Sequence, residues 1–375
     1  MVEHVRYCLR KYWHRGDKYR VPARGLVNLL LTLTISALSG AGLPAQEATS
    51  LERFEFTGEA MAAPVKLILY ATDRRLAEAA AQMVFDRLQA LNAIFSDYDP
   101  QSELSALCRR APTREPVPVS AELWEVLSQA QYFAELTGGA FDITVGPVVR
   151  LWRRARRQRE LPDPRRLSDA LSRVGYQKLK LFPEHQAVAL LEPGIQLDLG
   201  GIAKGYAGDE ALALLRQMGI TRALVDIGGD ISLGDPPPQL PGWRVAIEPL
   251  RPEDPPPQVV LLSRCAIATS GDTQRYVIIN GIRYSHIVDP RTGQAMTGNM
   301  SVTVVAPRGT TADAMASAIR VLGPEKGLPL INRLPGAAAC VLFLPDGASP
   351  ERKPEMWQSD NWAKLPRLEL PFPSQ

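Results

Sequence analysis

The period of the hydrophobic positions changes several times along the chain, and each change marks an element. Ile195, Leu197 and Leu199 alternate with Gln196 and Asp198, which predicts a strand over 195–199. Gly200 and Gly201 break that run. From Ile202 onward, Ala203, Tyr206, Ala207, Ala211, Leu214, Leu215 and Met218 fall at helical intervals, and Gly219 stands where a helix stops. Ala223–Ile227 reads as the next strand and Gly228-Gly229 as its end. This strand–glycine–helix–strand–glycine unit is the densest stretch of pattern in the sequence.

Upstream, 54–57 and 65–70 predict a hairpin around a 58–64 loop. Arg74–Phe95 predicts an amphipathic helix whose apolar stripe is Leu76, Ala80, Met83, Val84, Leu88, Leu91 and Ile94. Ser102 and Ser120 stand at helix-capping positions, the second before a helix that runs to Thr137-Gly138-Gly139. A short helix over 163–174 and strands over 178–182 and 188–191 lead into the central unit. Beyond it, two proline-rich loops (236–242 and 252–257) separate strands at 243–247 and Val259–Leu262. Tyr276–Ile279 precedes the hairpin dipeptide Asn280-Gly281. A strand at 302–306 precedes a helix opening at Thr311. Residues 346–375, rich in proline and charge, read as a surface tail, and no internal repeat is present.

The first 45 residues depart from the rest. Arg6, Arg10, Lys11, Arg15, Lys18, Arg20 and Arg24 precede an apolar run over 26–38, then Ser39, Gly40, Ala41 and Ala45. This pattern predicts a secretory signal peptide over 1–45 or an uncleaved signal anchor, the run being short for a spanning helix. Seven of the 43 basic and two of the 40 acidic residues lie there, leaving 36 basic against 38 acidic. The +3 charge of the full chain therefore belongs to the leader, and the remainder offers no electrostatic footprint for nucleic acid. With 45% hydrophobic and 22% charged residues, that remainder is an ordinary globular composition. Cys108, Cys265 and Cys340 have no metal-binding spacing and read as buried free thiols.

The candidate chemistry gathers at few places. Gly200, Gly201 and Lys204 stand at a strand-to-helix turn, where backbone N–H groups can approach an anion, with Asp198 at the strand end. The spacing is neither a Walker loop nor a dinucleotide fingerprint, so a plain tight turn with a solvated lysine stands beside the phosphate reading. Tyr98 lies on the turn at Asp99-Pro100, as a rim residue or a ligand contact. Asp142, after a double glycine, is either part of a close-approach site or a helix cap. Arg150, Arg153, Arg154, Arg156, Arg157 and Arg159 form the most basic run, a solvated face or a docking patch. His286 is flanked by Ser285, Asp289 and Arg291. Asp313 and Ser317 share one helical face near the positive helix end, and their oxygens suit a hard divalent cation or else serve as a cap and a packing serine.

Seven of these segments, in order, resemble the FAD:protein FMN transferase (ApbE-type) family. They are Ser96-Asp-Tyr-Asp-Pro-Gln-Ser-Glu-Leu-Ser105, Thr137-Gly-Gly-Ala-Phe-Asp-Ile-Thr-Val-Gly-Pro147, Leu197-Asp-Leu-Gly-Gly-Ile-Ala-Lys-Gly-Tyr-Ala207, Val225-Asp-Ile-Gly-Gly-Asp230, Ala268-Thr-Ser-Gly-Asp272, Tyr284-Ser-His-Ile-Val-Asp-Pro-Arg-Thr-Gly293 and Thr311-Ala-Asp-Ala-Met-Ala-Ser-Ala318. They span about residues 50 to 345. The resemblance implies a single α+β domain over 46–345 with mixed or antiparallel sheets and flanking helices. It also implies export to the outer side of the inner membrane. The reaction implied is Mg²⁺-dependent transfer of the FMN half of FAD to a Ser or Thr hydroxyl of a partner protein, releasing AMP; typical acceptors are flavin-carrying subunits of membrane redox complexes. Carried over by position, it assigns Mg²⁺ to Asp313, Ser317 and the carbonyls of Gly201 and Ala316. It assigns FAD to Met61, Tyr98, Ala140, Phe141, Asp142, Asp198, Lys204 and Ile287. His286 and Asp313 are the catalytic candidates, His286 standing where a base could act.

Two positions depart from the family pattern. Met61-Ala62-Ala63 stands where Met-Gly-Thr is usual, and Ser317 replaces a threonine while keeping its hydroxyl. Two other functions use the same residues: an FAD diphosphatase giving FMN and AMP, and a flavin carrier without turnover. The glycine spacing disfavours a nicotinamide dehydrogenase.

Overall fold

The structure is a computed structural model that describes residues 50–251, 253–271, 276–345 and 352–368. All of them belong to one unit, Thr49–Gln375. The leader expected over 1–45 and the motif residue Asp272 lie outside the described residues. Among the described residues, no helix is long and apolar enough to cross a membrane.

The strands are β1 (Glu52–Ala60), β2 (Ala63–Ala71), β3 (Val117–Pro118), β4 (Leu179–Phe182), β5 (Ala187–Leu190), β6 (Ala223–Ile227), β7 (Asp230–Leu233), β8 (Trp243–Ala246), β9 (Val259–Leu262), β10 (Cys265–Gly271), β11 (Tyr276–Ile279), β12 (Ile282–Val288), β13 (Ala295–Thr297), β14 (Asn299–Ala306), β15 (Ala338–Leu344), β16 (Glu355–Gln358) and β17 (Arg367–Leu368). The helices are α1 (Arg74–Phe95), α2 (Glu103–Arg109), α3 (Ala121–Leu136), α4 (Gly146–Gln158), α5 (Pro164–Leu171), α6 (Ala203–Gln217), α7 (Gly309–Leu322) and α8 (Pro324–Ile331).

An eight-stranded antiparallel sheet, ordered β1-β2-β6-β7-β10-β14-β15-β16, forms the frame. The alternation along its strands sends one set of side chains to each face. Val65, Leu67, Leu69, Val225, Ala268, Val302 and Val304 meet α1, α6 and α7 on one side. Ile68, Leu233, Ile267, Val305 and Leu342 meet the β17-β9-β8 sheet and Trp362 on the other. A third cluster joins Val148, Trp152 and Ala155 of α4 to Leu167 of α5 and Val288 of β12. This is the expected α+β class.

Several sequence expectations hold in detail. α1 occupies the predicted span, and Ser102 and Ser120 accept the capping hydrogen bonds of the helices that follow them; Asp163, not singled out by the sequence pattern, caps α5 in the same way. The structure corrects others. The first hairpin has no 58–64 loop: Gly58 pairs with Val65 and the turn is Met61-Ala62 alone. The 195–199 stretch keeps strand-like burial, yet it touches strand geometry only at a parallel bridge between Val145 and Gln196. Its other partners belong to irregular backbone or side chain: Asp198 N–H donates to the Ile143 carbonyl (2.7 Å), and Leu197 N–H to the Cys108 sulfur (3.3 Å). The short helix predicted over 163–174 is the shorter α5, and the arginine run lies on α4, a helix the sequence pattern did not reveal. Residues 355–368 are no loose tail. Glu355–Gln358 extends the main sheet through β15, β17 pairs with β9, and Trp362 is fully buried.

Candidate active site

The site is assembled where the amino-terminal ends of α6 and α7 meet. A Cβ on Gly205 would lie 2.1 Å from the Gly309 carbonyl oxygen, and one on Gly309 would lie 2.4 Å from that of Gly205. Only glycine at both positions allows this approach. α7 has no capping side chain of its own, and Asp209 on α6 replaces it. Its carboxylate accepts from Gly309 N–H (2.7 Å), Thr310 N–H (3.2 Å) and the Thr310 hydroxyl (3.0 Å).

One turn into α7, Asp313 is buried and accepts from Gly205 N–H at 3.2 Å. Burial pushes its carboxyl above the usual range, opposed by the Lys204 charge and the Gly205 amide. Ser317, four residues on, faces Gly201: a Cβ there would lie 3.0 Å from the Ser317 hydroxyl oxygen and 3.4 Å from the Phe141 ring. Ala316, between them on α7, is buried. Gly201 and Phe141, more than a hundred residues earlier in the chain, therefore share one corner with Asp313 and Ser317. Lys204 is ion-paired with Asp230, a buried carboxylate at the start of β7. With Asp230 against it and Asp313 near enough to feel its field, one ammonium serves two carboxylates. The corner is left net negative, with carboxylate and hydroxyl oxygens as its donors, a composition that suits a hard cation. Among the described residues, no group of three or more His, Cys, Asp or Glu forms a metal cluster. A cation here would have one carboxylate, Asp313, and would draw its remaining ligands from the Ser317 hydroxyl and main-chain oxygens.

A second group borders this corner. Asp198 Oδ1 accepts from Gly200 N–H at 2.8 Å, and Oδ2 accepts from Arg153 at 2.8 Å. Arg153 also pairs with Asp97, and its guanidinium carbon lies 4.3 Å from the centre of the Tyr98 ring. Burial and the neighbouring Asp97 push the Asp198 carboxyl up, while Arg153 pulls it down. Tyr98 remains 69% exposed, a ring with a cation beneath it and open surface around it. Arg153 is thus no part of a solvated arginine face.

The Thr137–Asp142 segment forms a third wall. Gly138 and Gly139 take positive φ values of 60° and 78°, and Phe141 N–H donates to the Thr137 hydroxyl at 3.1 Å. Ala140 and Phe141 are buried. Asp142 is not a helix cap: α4 begins after Val145, and Asp142 Oδ1 accepts from Thr144 N–H (2.8 Å) and the Thr144 hydroxyl (2.7 Å). Burial raises its carboxyl against those bonds. A cavity of about 250 Å³ opens beside it, lined among others by Gly139, Tyr176 and Arg291.

His286 and Ile287 lie half-buried on β12, which packs against both α4 and α7. Ile287 N–H donates to the buried Ser285 hydroxyl at 3.1 Å. Met61 sits in the β1–β2 turn. The next strand holds that turn beside Gly228, whose N–H donates to the Pro64 carbonyl at 2.9 Å, and so beside the turn that carries Asp230. The sequence reading missed Asp97, Arg153, Asp209, Asp230 and Tyr176 as site residues. Asp97 and Asp230 lie inside recognised segments; Arg153 was hidden by its arginine neighbours.

Residues 61–342 match the profile of the ApbE family. The chain belongs to the ApbE family. Its curated relatives include the FAD:protein FMN transferase of Treponema pallidum, 38% identical over 280 residues, covering 71% of this chain and 77% of that protein. The FAD:protein FMN transferase of Escherichia coli K12 is 35% identical over 254 residues, covering 66% and 72%. Among solved structures, the flavin transferase ApbE from Vibrio cholerae superposes with a TM-score of 0.73 at 26% identity, covering 84% of this chain and 99% of that one. The ApbE protein from Thermotoga maritima gives 0.73 at 29% identity, covering 84% and 100%. An ApbE fold thus supplies the α6–α7 junction at which Gly201, Lys204, Asp313 and Ser317 meet.

Proposed function

We propose that this chain transfers the FMN half of FAD to a Ser or Thr hydroxyl of a partner protein. The FAD pyrophosphate P–O–P bond breaks, a phosphoester forms to the acceptor oxygen, and AMP leaves with the other phosphate. The observation that carries this reading is the oxygen-rich corner at the α6–α7 junction. There the buried Asp313, the Ser317 hydroxyl facing Gly201, and Lys204 converge on one helix-terminal site. Relatives carrying the name FAD:protein FMN transferase support the same reaction.

Transfer of this kind depends on neutralising charge and aligning the reacting oxygens. Asp313, Ser317 and the carbonyls of Gly201 and Ala316 would hold Mg²⁺, which would supply positive charge to the pyrophosphate. Lys204 adds charge from the α6 N-terminus, held in place by Asp230. Met61, Tyr98, Ala140, Phe141, Asp142, Asp198 and Ile287 bind and orient FAD, with Arg153 and Thr144 fixing two of the carboxylates. His286 accepts the proton of the attacking hydroxyl. The leader pattern over 1–45 supports an exported protein acting outside the inner membrane, and the acceptor class that fits is a flavin-carrying subunit of a membrane redox complex.

The test combines the chain with FAD, Mg²⁺ and the soluble domain of such a subunit from the same cell, reading AMP release and in-gel flavin fluorescence. Both signals are expected from the wild type, with at least a hundredfold loss in Asp313→Ala and on chelation. AMP without a labelled acceptor would move the assignment to an FAD diphosphatase. Tight FAD binding without AMP would leave a flavin carrier.

A further inference from the structure

Strand β11 is the outer strand of the small β11-β12-β13 sheet. Its side chains alternate sharply. Val277 and Ile279 are buried at 7% and 5% exposure, whereas Tyr276 and Ile278 are exposed at 41% and 58%. Ile282, across the turn, is 46% exposed. Three large apolar side chains thus lie open within seven residues, on a hairpin whose next strand carries His286 and Ile287.

The backbone of β11 is open on the same positions. Asn280 and Gly281 have φ values of 51° and 78°, a two-residue turn with both central residues left-handed. In such a hairpin the flanking pair, Ile279 and Ile282, exchanges both hydrogen bonds, and so does Val277 with Tyr284. The intervening residues, Tyr276 and Ile278, therefore turn their N–H and C=O groups outward. These outward groups have no backbone partner among the described residues. The Arg283 guanidinium lies 3.7 Å from the Tyr276 ring centre and fixes that ring on the exposed face. Long, apolar open edges are a pairing hazard that folded proteins avoid or use.

A transferase whose second substrate is a polypeptide needs a seat for that polypeptide beside its base. Tyr276 lies opposite Ser285, the neighbour of His286, and a strand added outside β11 would run two strand spacings, about 10 Å, from β12. We propose that the edge of β11 receives an extended segment of the acceptor protein as an added strand. Main-chain bonds to Tyr276 and Ile278 supply affinity, and an apolar acceptor side chain packs on Ile278. The seated segment continues along the hairpin and presents its Ser or Thr hydroxyl at His286. The inference rests on the transferase reading and names how that reading's partner is held.

Ile278→Pro and Ile278→Asp test it. The first removes the outward N–H without touching the β11–β12 ladder; the second places a charge on the exposed face. The probe is the same redox-subunit domain, with the wild-type chain assayed alongside. The expected result is a rise of at least tenfold in KM for the acceptor in both variants. The FAD dissociation constant and acceptor-independent AMP release should stay within twofold. Adding the acceptor to the wild type should also slow amide exchange at Tyr276 and Ile278. An unchanged acceptor KM in both variants overturns the proposal, as does an equal loss of FAD binding, which would make Ile278 structural. A concentration-dependent dimer of the wild type that Ile278→Asp abolishes would assign the edge to a second copy of this chain. Should the wild type fail to label the acceptor at all, the transferase reading itself falls, a result distinct from any of these.

Discussion

At the scale of single residues, the first hairpin carries an unusual turn. Met61 and Ala62 sit at φ values of 53° and 55°, and both have side chains. A left-handed conformation costs an ordinary L-residue roughly 1–2 kcal/mol, which glycine does not pay. The nine-residue pairing of β1 with β2 imposes that turn, because register leaves only two residues to reverse the chain. Ala62→Gly is therefore expected to stabilise the protein by about 1 kcal/mol, read as a higher midpoint in urea unfolding. An unchanged or lower midpoint would mean that the turn is not held left-handed in solution. Met61 belongs to the same turn, so the position of its side chain depends on this conformation.

At the scale of elements, the α6–α7 junction is the part on which the proposed function rests. Gly205 and Gly309 meet backbone to backbone, and Asp209 caps α7 from α6. In Gly205→Ala the new Cβ would meet the Gly309 carbonyl, which cannot move without shifting α7. A loss of about 3 kcal/mol or more is expected, together with loss of AMP release, since Asp313 and Ser317 ride on α7. Gly208, three residues along α6, is the control. There a Cβ would lie 2.4 Å from the Ser232 hydroxyl oxygen, the end of a side chain able to rotate. Gly208→Ala should cost clearly less in a parallel thermal melt, and equal costs would contradict a backbone-limited junction.

At the scale of the whole molecule, the main sheet is closed on both faces, and the carboxy-terminal segment closes one of them. Trp362 is fully buried, its indole N–H donates to the Gln258 side-chain oxygen at 2.9 Å, and β16 covers the outer edge of β15. Trp362→Ala should cost about 3–5 kcal/mol, measured by denaturant unfolding, although no candidate site residue touches it. A cost below about 1 kcal/mol would return residues 355–368 to the loosely attached tail that their composition suggests.

Local pattern determined much of this protein. The apolar stripe of α1, the caps at Ser102 and Ser120, and the Gly228-Gly229 and Asn280-Gly281 turns follow from spacings within a few residues, whereas the α+β class came from the family resemblance. The family resemblance pointed to Gly201, Lys204, Asp313 and Ser317, and the structure brings these four to one corner. What the tertiary structure decided was everything that depends on a distant partner. Ile195 to Leu199 alternates like a strand, but irregular backbone and a cysteine sulfur take up its amides, so no ladder forms. Arg153 looks like one more charge in a basic run, and only the approach of Asp97, Asp198 and Tyr98 from two other segments turns it inward. Asp230 becomes the counter-ion of Lys204 only because β7 lies beside α6. The final segment reads as polar tail until Trp362 finds a core made by β8, β9 and β15, the first two a hundred residues or more earlier. Periodicity records which side of an element is apolar; it does not record which element will come to cover it.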